Sequence, residues 1–136
     1  DESKKSCSLY CFITPERNDK VNFTIYHNLS CTHFVYGFGE LTSDLQFHGP
    51  STQDEGTHSY PGNFHYLRTL KERNPSSKIL LGIHLDHRDS LISSPPSRLN
   101  MTSSLINILT DIHLDGLFLR VDRPFTDNSR FSYFFK

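Results

Sequence analysis

Short apolar runs alternate with longer polar stretches along this chain. Residues 9–13 (LYCFI) form a ring-rich apolar run that predicts a strand. Residues 14–20 hold Pro15 among charged and amide side chains and read as a loop. Residues 21–29 alternate only in part and are predicted to lie on the surface. Residues 32–38 (THFVYGF) are nearly continuous in apolar character and predict a second strand, in which Gly37, with Gly39 just beyond, permits close approach of backbone or ligand. A long polar loop over 42–62 follows, punctuated by Gly49-Pro50, Gly56 and Pro61-Gly62, with a short strand expected near 45–47. Residues 63–73 (NFHYLRTLKER) give the clearest helix. Asn63 is its expected N-cap, Phe64, Leu67 and Leu70 share one face, and Asn74-Pro75 stops it. Residues 78–85 (KILLGIHL) predict another strand, followed by turns through Ser93-Ser94-Pro95-Pro96. A second helix is expected over 101–112, capped by Asn100 or Thr102, with Leu105, Ile106, Leu109 and Ile112 as its apolar stripe. Residues 114–121 (LDGLFLRV) predict a last strand, Pro124 breaks it, and residues 127–134 are expected to begin a third helix.

Buried-looking strands separated by helices are the pattern of a parallel sheet with βα crossovers. The expected class is α/β. The chain has 136 residues, one domain's worth, whereas closing an eight-stranded (β/α) barrel takes about 250 residues. It therefore supplies about half of such a barrel, its first four β/α units. Half a barrel leaves two strand edges and one sheet face uncovered, and such edges are seldom left bare.

Composition narrows the function classes. Lys plus Arg number 14 against 15 Asp plus Glu, so no strong field steers the chain to nucleic acid or an anionic membrane. No apolar run approaches the roughly 18 residues of a membrane span. Aromatics reach 12% with eleven Phe, six Tyr and no Trp, so the packing leans on rings. Three Asn-x-Ser/Thr sequons, at Asn22, Asn28 and Asn100, predict N-glycosylation and hence passage through the secretory pathway. The first residues carry no export-signal pattern, and the expected secretion is compatible with a signal removed ahead of Asp1. Cys7, Cys11 and Cys31 are too few to close a zinc site. In an exported chain they predict one internal disulfide and one remaining thiol, free, buried or bridged to a second chain.

Four segments resemble glycoside hydrolase family 18, the chitinases and chitinase-like lectins. Leu9-Tyr10-Cys11-Phe12 resembles the first barrel strand. Ser30-Cys31-Thr32-His33-Phe34-Val35-Tyr36-Gly37-Phe38 resembles the second. Residues 67–81 (LRTLKERNPSSKILL) resemble the first long helix and the third strand, and Leu114-Asp115-Gly116-Leu117 the entry to the fourth. The resemblance implies a Cys11–Cys31 disulfide, which leaves Cys7 as the candidate for a bond to another chain.

It also locates the chemistry. The family's fourth-strand motif, Asp-Gly-x-Asp-x-Asp-x-Glu, supplies the acid and the carboxylates that serve substrate-assisted hydrolysis. Laid on this chain it begins at Asp115, and its later acidic positions fall on Phe118, Arg120 and Asp122. Period-2 geometry puts those three on one face of the strand. A ring cannot share a proton. A guanidinium has the wrong sign beside developing positive charge. Asp122 is a methylene short of Glu, and a neighbouring cation favours its ionised form, unfit for a general acid. The expectation is a protein that does not hydrolyse. The Ser-x-Gly-Gly pattern at the end of the third strand is also absent, Gly82-Ile83-His84-Leu85 standing there, and no Trp is available to stack on chitin sugars.

His84, Asp86, His87 and Asp89 follow the third strand. A metal set can be drawn from His84, Asp86 and Asp122, but such spacing is common in polar βα loops. A solvated loop is the expected reading, with no metal and no cofactor. Tyr36, His84, Arg120 and Asp122 are the candidates for facing a ligand. The leading expectation is a secreted chitinase-like glycoprotein that binds a protein or glycan, with self-association through the open half-barrel included. A structural subunit or processed fragment of a larger assembly comes second, and a weak glycosidase third.

Overall fold

A computed structural model of the chain describes residues 7–85 and 94–121. Its elements run β1 (Tyr10–Ile13), a short 3-10 helix (Phe23–Tyr26), β2 (His33–Leu41), β3 (Phe47–His48), α1 (Asn63–Arg73), β4 (Lys78–Leu85), α2 (Pro95–Ile112) and β5 (Gly116–Val121). Strands β1, β2, β4 and β5 lie side by side in that order, and each neighbouring pair is parallel. The two-residue β3 returns antiparallel along the end of β2. This is the partial (β/α) barrel expected from the sequence.

The alternation of β-strand side chains divides the sheet into two faces. Phe34 and Tyr36 of β2 and Ile79, Leu81, Ile83 and Leu85 of β4 point to the helical side and are fully buried. Phe64, Leu67 and Leu70 of α1 and Met101, Leu105 and Ile112 of α2 cover them. The opposite face carries Tyr10 and Phe12 of β1, Phe118 of β5 and Phe38 of β2, which the register shift between Tyr36 and Gly39 turns to that side, and their rings meet at 5.3–6.3 Å.

Glycines set how closely the strands approach. A Cβ on Gly37 would lie 3.2 Å from the Gly82 Cα, and one on Gly39 would lie 2.6 Å from the His48 carbonyl oxygen. The close approach expected at these two positions is thus made by backbone. The Cys11–Cys31 disulfide, implied by the resemblance, joins β1 to the start of β2 with its Cα atoms 6.0 Å apart.

Several local expectations are corrected. Residues 21–29 are not all surface, because Phe23 in the 3-10 helix is buried and its ring packs on Tyr36. Asn63 is not a cap. It is the first residue of α1 after Gly62, and it is wholly buried. Helix α2 starts six residues earlier than expected, at Pro95, and its cap is Ser94, whose hydroxyl accepts from the Ser97 amide at 3.2 Å. Proline suits the first helical turn, where its missing N–H has no partner to lose. Asn100 and Thr102 are consequently helix interior, and Ile106, placed on the apolar stripe, is 57% exposed. The third helix expected over 127–134 lies outside the described residues.

Candidate functional site

The strand carboxyl ends open into a cleft of about 780 Å³, lined among others by Phe38, Glu40, Phe47, Asp54, His84 and Arg120. The register explains the grouping. Glu40 is the cross-strand partner of His84, and His84 is the partner of Arg120. An acid, an imidazole and a guanidinium thus form one row across three neighbouring strands. Arg120 also sits over the Phe38 ring, 5.5 Å from its centroid, a cation–π distance. His84 and Arg120 were anticipated from the sequence. Glu40 was not, because a lone acid closing an apolar strand has no motif to mark it.

Below this row the inner face is aromatic. Phe118 stands edge-on to Phe12 at 5.3 Å and to Phe38 at 6.0 Å. Tyr10 stacks on His33 with ring centroids 4.2 Å apart. The period-2 reading of Phe118 and Arg120 as same-face residues holds. Asp115 lies apart from them, at the other end of the strand. Its carboxylate accepts from the Ile79 amide at 2.8 Å and pairs with Lys71 at 3.2 Å. Burial pushes this carboxyl up, but the Ile79 amide and Lys71 more than offset it and hold it below its ordinary value.

Tyr36 is placed differently from its expected role. It faces the helices with 0% of its surface exposed and offers nothing to a ligand from outside. Its hydroxyl donates to the Asp54 carboxylate and accepts from the Asn63 amide at 3.0 Å. Burial, reinforced by Asp54, raises its pKa far beyond the usual phenol value, so it stays a donor. Asp54 also accepts from the Ser51 amide at 3.0 Å and from Asn63 at 3.1 Å. Burial pushes its carboxyl up, against the lowering effect of those three hydrogen bonds. Asn63 further donates to the Asp19 carbonyl at 2.9 Å and accepts from the Val21 amide at 3.0 Å and the Tyr60 hydroxyl at 2.5 Å. One buried polar knot therefore ties two loops to the start of α1. Its partners stand up to 44 residues apart, so no local pattern announces it.

The three sequon asparagines are exposed. Asn22 caps the 3-10 helix, accepting from the Thr24 amide at 3.2 Å, and Asn28 follows that helix. Asn100 is on α2. All three belong to segments on the helical side of the sheet. Cys7 is an exposed free thiol. Asp86, His87, Asp89 and Asp122 lie outside the described residues. Among the described residues no three His, Cys, Asp or Glu side chains are placed to hold a metal ion, and no helix is long and apolar enough to cross a membrane.

No protein-family model and no curated relative matches the chain. Solved structures do. A Group IV chitinase from Ostrinia furnacalis superposes with a TM-score of 0.69 at 20% identity, over 95% of this chain and 39% of its own. Human YKL-39, described as a pseudo-chitinase with retained chitooligosaccharide binding, gives 0.66 at 23%, over 95% of this chain and 36% of its own. A glycoside hydrolase family 18 N-acetylglucosaminidase from Paenibacillus barengoltzii gives 0.64 at 19%, over 93% and 38%. The chain thus spans under two fifths of the length of each of these structures. The fold is that of the N-terminal part of a family 18 barrel, through its fourth strand.

Proposed function

We propose that this is a secreted glycoprotein that works by binding, through the inner face and upper cleft of its half-barrel, and does not hydrolyse glycosidic bonds. The observation that carries the reading is the inner face of β5, where Phe118 packs into an aromatic cluster and Arg120 lies over Phe38. The family resemblance places carboxylates at both positions. A ring and a cation there support neither proton sharing nor the stabilisation of a developing cation. Secretion is supported by the Cys11–Cys31 disulfide, which accords with an oxidising compartment, and by three exposed sequons. A glycan is one class of ligand for the cleft, since YKL-39 is described as keeping chitooligosaccharide binding without being a true chitinase. A protein seated on the open inner face is the other.

The test incubates the purified full chain with chito-oligosaccharides and follows product by mass spectrometry. No cleavage is expected. Cleavage that disappears in Asp122→Asn would overturn the reading. A second reading, a structural subunit of a larger chitinase-like assembly, is favoured by the exposure of Tyr10 and Phe12 on the inner face among the described residues and predicts co-purification with a fixed partner.

A further inference from the structure

We infer that sugars on Asn22 and Asn28 fold over Ile25 and Leu29, so that the chain's own carbohydrate covers the apolar outer surface of its β1–β2 connection. This rests on the reading of the chain as a secreted glycoprotein and gives its glycans a place and a task.

The geometry starts with the 3-10 helix. Three residues complete each turn of such a helix, so side chains three apart stand in one line. Phe23 and Tyr26 form the inward line, with the Phe23 ring 6.1 Å from that of Tyr36 and the Tyr26 ring 6.5 Å from that of Phe34. Asn22, Ile25 and Asn28 form the next line. The turn continues past the helix, because the His27 amide donates to the Thr24 carbonyl and the Leu29 amide to the Tyr26 carbonyl, both at 3.3 Å. At a rise of about 2.0 Å per residue, Ile25 lies about 6 Å along the axis from each asparagine.

Exposure adds the second observation. Ile25 is 63% exposed, and Leu29, next to Asn28, is 45% exposed. A lone exposed apolar residue is ordinary. Here the apolar surface is framed by two sequons on its own line. Asn100 gives the contrast. One turn to either side of it on α2 stand Pro96, Ser97, Ser103 and Ser104, and the exposed Leu99 is about 100° round the helix. A sugar on Asn100 has no large apolar side chain on its line.

The Asn22 side chain is set up to carry a sugar without losing its cap. Its Oδ1 accepts from the Thr24 amide at 3.2 Å and from the Thr24 hydroxyl at 2.5 Å. Both bonds use the oxygen and leave Nδ2 out of the cap. Glycosylation forms a bond from Nδ2 to the anomeric carbon of an oligosaccharide, breaks that carbon's bond to the pyrophosphate of a lipid carrier, and releases one amide proton. The capping oxygen is kept. The first sugar, an N-acetylhexosamine, brings a methyl group and ring C–H groups, which gain by leaving water against Ile25.

The experiment secretes the full chain from a glycosylating cell in a Thr102→Ala background, which leaves only the Asn22 and Asn28 sequons. Glycopeptide mass spectrometry is expected to find both occupied. An amidase then strips the sugars from the folded protein and turns each asparagine into aspartate, whose carboxylate can still accept from the Thr24 amide. Stripping should lower the thermal midpoint by about 3 °C and raise the fluorescence of an apolar dye. In Ile25→Ser, at an exposed side chain, both changes should shrink to about half or less, the coupling between sugar and side chain. A bare Asn22 or Asn28 overturns the inference. So does a midpoint or dye signal indifferent to stripping, or a change of the same size in Ile25→Ser. Failure here is separable from failure of the glycoprotein reading. Sugar on Asn100 alone in the native chain sinks only this inference, whereas three bare sequons sink the glycoprotein reading with it.

Discussion

The two faces of the same four strands differ more than any two segments of the chain. On the helical face Ile79, Leu81 and Ile83 are fully buried against the two helices. On the inner face Tyr10 and Phe12 are equally apolar yet remain open to solvent. Hydrophobic character is therefore shared by both faces, while on the inner face burial holds at Val35 in the middle of the sheet and is lost along the β1 edge. Adjacent exposed rings form an apolar patch that another molecule can cover, which scattered apolar residues such as Leu99 do not.

Mutation can break this comparison. On the helical face, Leu81→Ala should cost about 2–5 kcal/mol, the loss of a buried side chain plus the cavity it leaves. On the inner face Phe12→Ser removes a partly exposed ring that meets Phe38 and Phe118 and should cost about 1 kcal/mol, less than the core truncation. Urea denaturation at low protein concentration reads both, and equal costs would remove the distinction.

A smaller loss comes from the covalent tie between β1 and β2. Replacing Cys11 and Cys31 together by Ser opens a closed loop of 20-residue separation and should cost roughly 3 kcal/mol, read as a lower urea midpoint. An unchanged midpoint would mean that the four residue pairs of the β1–β2 ladder hold the edge strand unaided.

The smallest effect sharpens the comparison on the helical side, where the buried polar knot sits. The folded state raises the Asp54 carboxyl, so it retains a proton that the unfolded chain has already released. Stability from this group is greatest below the ordinary carboxyl value and declines as pH rises through the folded one. Asp115, lowered in the folded state, acts in the opposite direction and loses its contribution as pH falls. Asp54→Asn removes only the first effect. The variant should therefore gain on the native chain as pH rises from about 4 toward neutrality. A difference in urea midpoint that stays flat across that range would show that Asp54 titrates normally.

Much of the architecture was legible because it rests on periodic burial. Phe64, Leu67 and Leu70 mark α1, and the apolar run KILLGIHL marks β4, each to the residue. What escaped was set by partners distant in sequence. Asn63 has the look of a helix cap, but its amide is taken up by Asp19, Tyr36 and Asp54, so it sits inside the first turn. Pro95-Pro96 has the look of a turn, yet with Ser94 as cap it opens α2. At the site, Phe118 and Arg120 were readable from strand alternation. Glu40 needed the register with His84, and the burial of Tyr36 needed the helices laid over β2.

The disulfide also decides how the molecule answers to a pull. Tension applied ahead of β1 would, in a chain held by hydrogen bonds alone, peel this four-residue edge strand from the sheet. Here it passes through Cys11 into Cys31, next to β2 in the middle of the sheet, and bypasses the segment between them, where Asn22 and Asn28 lie. A tethered partner or a glycan handle on that segment is thereby mechanically shielded from strain at the amino end, and the load is carried by the strand with the most neighbours.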